Sequence, residues 1–78
     1  MVSDNYLNSL KEEIKKYLNL KYVGNHKEIG NDIYFDVLEV GVKGAERKLK
    51  YKTATGTLFE NVDGQWQQLR GILIKISD

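Results

Sequence analysis

One dipeptide, Asp63-Gly64, constrains the second half of this chain more than any other feature. A two-residue type I′ turn needs positive φ at both central positions, and Asp-Gly between two strand-like runs is a strong signal for it. With those residues as the turn, Asn61 faces Trp66 and Phe59 faces Gln68. Continuing the ladder sets Gly56 opposite Gly71, Thr53 opposite Ile74 and Tyr51 opposite Ile76. A glycine on each arm at one level predicts a bend or bulge, dividing a hairpin from Arg47 to Ser77 into a body and a tip.

The first half supplies one helix and two further strands. Over residues 4–20, Leu7, Leu10, Ile14, Tyr17 and Leu18 recur at three- and four-residue steps. That is the period of an amphipathic helix, and Ser3 or Asp4 can cap it. Residues 21–28 and 33–42 read as strands joined at Gly30-Asn31, a pair that suits a type II′ turn. Lys43-Gly44 then reads as a turn into a third strand, pairing Val42 with Ala45, Val40 with Arg47, Leu38 with Leu49 and Asp36 with Tyr51. The predicted fold is α+β, a single domain over residues 1–78. Its N-terminal helix packs on a four-stranded antiparallel β-meander of order 1-2-3-4, with strands at 21–28, 33–42, 45–61 and 65–77.

Side chains alternate between the two faces of a strand, so these registers assign faces. Leu38, Val40, Val42, Leu49, Tyr51, Ile72, Ile74 and Ile76 fall toward the helix, and Asp36 falls among them. Lys48, Lys50, Lys52 and Lys75 fall on the opposite face with Phe35, Val37, Ala54 and Leu73. The layout resembles the cystatin type in outline. The Gln-x-Val-x-Gly motif of that family is not in the chain, so the likeness is one of shape and implies no function.

Composition limits the function classes. Seventy-eight residues make one small core, which supplies only about 3–5 kcal/mol without staples, and there is no cysteine to form one. Self-association is therefore expected to help. Residues 1–39 hold five lysines against seven acids, and residues 40–78 hold seven Lys or Arg against four. A sequence pI near 7.9 is low for a dedicated nucleic-acid domain. No basic and apolar leader opens the chain and no run is long enough to span a membrane, so a cytoplasmic protein without membrane contact is expected.

Catalysis, metals and cofactors find little support. His26 is the sole histidine, and the serines are Ser3, Ser9 and Ser77, near chain ends or on the helix. No second ligand accompanies His26, and Gly41-Val42-Lys43-Gly44 lacks the spacing of a phosphate loop. The expectation is a non-enzyme with no cofactor and no metal.

Two surfaces remain as binding candidates. Phe59, Trp66 and Gln68 at the hairpin tip form a site for an unknown protein partner, tryptophan being the residue most enriched at binding hot spots. The outer sheet face is a second place for such a contact, including a homodimer. Alternatively, Phe35 with Lys48, Lys50, Lys52 and Lys75 forms a weak nucleic-acid-binding face, a ring for a base beside ammonium groups for phosphates. The expected function is a small accessory, adaptor or inhibitor-like interaction module, with nucleic-acid binding as the alternative.

Overall fold

The computed structural model describes residues 2–39 and 46–76. Helix α1 spans Asp4–Leu18. It begins where the Ser3 hydroxyl accepts the Tyr6 amide at 3.1 Å, which satisfies a donor that the first turn leaves free. Leu7, Leu10 and Ile14 are buried, and each such side chain stabilises by about 1.5–3 kcal/mol on leaving water. The helix stops at Asn19, left-handed with φ 52°, whose N–H returns to the Lys15 carbonyl. Tyr17, expected on the apolar stripe, is half exposed.

Five strands follow: β1 Leu20–Ile29, β2 Asp32–Glu39, β3 Glu46–Lys52, β4 Thr57–Val62 and β5 Gln65–Leu73. They form one antiparallel sheet in the order β1-β2-β3-β4-β5. The α+β class and the leading helix agree with the sequence, but the sheet has five strands, not four. The expected strand 45–61 is broken at Thr53-Ala54-Thr55-Gly56. The Lys52 carbonyl accepts the amides of Thr55 and Gly56 there, at 3.3 and 2.8 Å. Gly56 has φ +76°, and a Cβ on it would lie 2.7 Å from the Ile74 carbonyl oxygen, so the reversal needs a residue without a side chain.

The turns at Gly30-Asn31 and Asp63-Gly64 form as read, with Ile29 paired to Asp32 and Val62 to Gln65. The expected pairs Asn61 with Trp66 and Phe59 with Gln68 are present. Below them the ladder slips. Thr57 pairs with Leu73, so Gly71, at φ +83°, lies in an irregularity of β5 and does not face Gly56. Tyr51 pairs with Ile33 and Leu58 instead of Ile76. Ile74 lies beyond β5, where its N–H donates to the Gly56 carbonyl and its own carbonyl accepts the Tyr51 hydroxyl at 2.6 Å.

The β2–β3 register also differs. Leu38 pairs with Glu46, Phe35 with Leu49 and Ile33 with Tyr51, in place of Leu38 with Leu49 and Asp36 with Tyr51. This is a shift of three residues, and an odd shift turns every β2 side chain to the other face. The reason is energetic. The expected register buried Asp36, and an unpaired ionised carboxylate in a core costs several kcal/mol. The observed one buries Ile33, Phe35 and Val37 and leaves Asp36 outside. The Lys43-Gly44 turn, and with it Val40, Val42 and Ala45, lies outside the described residues.

The core lies between α1 and the near face of the sheet. Leu20 and Val23 come from β1, Ile33, Phe35 and Val37 from β2, Leu49 and Tyr51 from β3, and Leu58 from β4, with Ile74 closing one end. Leu58 is fully buried, so the hairpin beyond Gly56 contributes to the core, and the expected division into a body and a tip does not separate core from surface. At the margin of this face Arg47 forks onto Glu60, Nε to Oε2 at 2.6 Å and Nη2 to Oε1 at 2.7 Å. No described helix is long and apolar enough to cross a membrane.

Candidate interaction face

The far side of the sheet is uncovered by any described element. Residues directly opposite on neighbouring strands share a face, so the registers line up two rows across all five strands. One row runs Lys27, Tyr34, Lys50, Phe59, Gln68, and the next runs Ile29, Asp32, Lys52, Thr57, Leu73. Lys48 stands beside them opposite Asp36, and Trp66 stands opposite Asn61.

Trp66 does not stay over its own strand. Three strand spacings of about 4.8 Å would separate β5 from β2 by about 14 Å in a flat sheet. Yet the Trp66 and Tyr34 ring centroids are 5.5 Å apart, edge to face at 66°. The sheet therefore curls on this side, and the indole lies across β4 and β3. Beneath it the Lys50 ammonium sits 5.0 Å from the Trp66 ring and 5.1 Å from the Phe59 ring, with Lys52 5.7 Å from Phe59. A cation over an aromatic face is worth about 0.5–1 kcal/mol at exposed sites. Tyr34, Phe59 and Trp66 are each half-buried by this arrangement.

Two surfaces separated by the sequence are thus one. Phe59, Trp66 and Gln68, expected at a hairpin tip, share a concave face with Lys48, Lys50 and Lys52. Four residues expected here lie elsewhere, Val37 among them, buried in the core. Phe35 is 2% exposed in the core, a consequence of the β2 register, and Tyr34 takes its place among the lysines. Lys75 follows β5 and does not face Lys52; it lines an open cavity with Tyr6, Tyr51, Thr53 and Ile76. Ala54, also expected on this face, is in the β3–β4 turn.

Charge on the face is mixed. Asp36, 56% exposed, meets Lys48 at 3.4 Å across the β2–β3 ladder, so it is neither buried nor bonded to the Tyr51 hydroxyl. Lys27 adds positive charge, and Asp32 and Glu46 oppose it. Exposed apolar side chains rim the face, with Tyr22, Ile29 and Leu73 each more than half accessible. Beside β1 an open cavity of about 290 Å³ is lined by His26, Asn25, Tyr34, Asp36 and Lys48 among others. His26 is exposed there, and among the described residues no three His, Asp or Glu side chains converge on a metal-sized site.

The register signal that would have found Tyr34 is present in β2. Its apolar alternation, Ile33, Phe35, Val37, is cleaner than the alternative containing Asp36. The Trp66–Tyr34 contact has no such signal, because it depends on the curl of the sheet. No family model, no curated protein and no solved structure matches the chain.

Proposed function

We propose that the chain is a small non-catalytic interaction module that docks a protein partner on its concave sheet face, with Trp66, Phe59 and Tyr34 as anchors and Lys50 beneath them. The gathering of these rings and Lys50 on a face that no described element covers is the observation that carries this reading. Aromatic anchors surrounded by a polar rim match the anatomy of protein interfaces. The rim here is Gln68, Asn61, Lys48 and Asp36. Carboxylates on the face and the aliphatic flank of Ile29 and Leu73 favour a protein over a polyanion.

A nucleic-acid strand is the second reading, favoured by one specific arrangement: Lys48, Lys50 and Lys52 alternate along β3 between aromatic side chains on β2 and β4. Trp66 is the only tryptophan, so its fluorescence reports directly on the face. Binding of a crosslinked, identified protein partner is expected to fall at least about tenfold in Trp66→Ala and to change little between about 50 and 200 mM salt. Saturable quenching of Trp66 by an oligothymidylate, lost steeply over that salt range, would replace the protein reading with the nucleic-acid one. Partner capture that Trp66→Ala leaves unchanged would remove the face from either.

A further inference from the structure

The two edges of the sheet are built differently. β1 carries two register irregularities, between Leu20 and Tyr22 and between Val23 and His26, together with Lys21, Lys27 and Glu28. Irregular backbone and charge are the usual means of preventing another strand from adding to an edge. β5 has neither from Gln65 to Gln68, and its one register irregularity falls beyond that stretch, before Leu73. From Gln65 to Gln68 it pairs regularly with β4, and Gln65-Trp66-Gln67-Gln68-Leu69 contains no charge and no proline. None of its nine residues is buried, and its outer backbone groups have no strand partner in the sheet.

We propose that β5 pairs with β5 of a second copy of this chain, antiparallel about a two-fold axis at Gln67. In that register Trp66 meets the partner's Gln68, Gln65 meets the partner's Leu69, and no like charges face one another. An antiparallel edge contact has its two-fold perpendicular to the sheet. Both helices then lie on one side, and both concave faces join on the other as a ten-stranded surface. Because β1 resists pairing, the assembly closes at two and does not run on as a fibre. A second copy is the fitting occupant because the segment is complementary to itself and because a chain of this size gains stability by association. The inference goes beyond the proposed function, since it concerns the edge and needs no other partner.

The test uses residue 67, which meets itself across the axis. Sedimentation equilibrium of the pure chain is expected to show a monomer–dimer equilibrium. Gln67→Lys and Gln67→Glu should each weaken it at least about tenfold, because either sign repels its own copy. Mixing the two variants should restore association, which only a contact about this axis explains. A dissociation constant above about 1 mM for the unaltered chain would overturn the proposal. So would a dimer indifferent to both charges, or one dispersed by Trp66→Ala and not by Gln67→Lys, which would place the contact on the sheet face. Loss of partner capture in Trp66→Ala is a separate readout, so failure of this proposal and failure of the proposed function are distinguishable.

Discussion

The two faces of this sheet hold aromatic rings in opposite surroundings. Under α1, Phe35 and Tyr51 are 2% and 1% exposed and packed among aliphatic side chains. On the far face Tyr34 is held against Trp66, Lys50 lies over the Trp66 and Phe59 rings, and each of the three rings keeps part of its surface in water. Rings of one face come from positions adjacent in sequence to charged residues of the other: Tyr51 lies between Lys50 and Lys52, and Phe35 precedes Asp36. A ring's role here is therefore set by strand parity. The near face buries its rings, and the far face leaves them partly in water.

The largest expected effect lies on the near face. Phe35→Ala removes a fully buried ring, and truncations of this kind cost about 3–5 kcal/mol, comparable to the whole stability expected of a small core. Chemical denaturation should show the variant largely unfolded in buffer. If Phe35→Ala instead retained wild-type stability and weakened partner binding, the assignment of faces would be reversed.

Tyr51 gives an intermediate effect with a pH signature. Its hydroxyl donates to the Ile74 carbonyl at 2.6 Å. Burial foremost, and then the neighbouring Tyr6 hydroxyl, raise its ionisation above the ordinary phenol range. An acid whose pKa is higher in the folded chain than in the unfolded one contributes stability in full below the unfolded value, about 10, and loses it as pH rises beyond. Tyr51→Phe should thus cost about 1–2 kcal/mol at neutral pH, where it leaves the carbonyl without its donor. The gap between wild type and variant should narrow above about pH 10. A gap constant to pH 11 would show that this phenol ionises as readily folded as unfolded.

The sequence made the helix, two of the turns and the upper C-terminal ladder legible because each rests on local chemistry: a 3.6-residue period, Gly30-Asn31 and Asp63-Gly64. It misplaced what depends on a single unmarked offset. A register counted from Lys43-Gly44, which lies outside the described residues, sets β2 three residues from its observed pairing and exchanges Phe35 for Tyr34 on the far face. Thr53-Ala54-Thr55-Gly56 carries one glycine and no proline, so the sequence suggests only a bend there within one long strand. The aromatic–lysine face is therefore legible only in pieces. Its lysines and its tryptophan were each identified, but their meeting depends on sheet curl, which no local pattern encodes.

The smallest expected effect decides whether the far face is a site or a second, shallow core. Lys50 touches both the Trp66 and the Phe59 rings, so Lys50→Ala, Trp66→Ala and the double variant form a cycle that isolates the Lys50–Trp66 coupling. For a partly exposed cation over a ring the coupling should be about 0.5–1 kcal/mol by denaturation. Each single change should cost far less stability than Phe35→Ala, because neither residue contributes to the buried core. Stability alone separates the alternatives poorly, so the same cycle should be run on partner binding. A face built for contact shows binding losses that exceed the stability losses for Trp66→Ala, since the ring's remaining exposed surface is what a partner would cover. A coupling well above 1 kcal/mol in denaturation, with binding unchanged, would mean that the indole's task is to lock the curl of the sheet. The two faces would then differ in the depth of their packing and not in purpose.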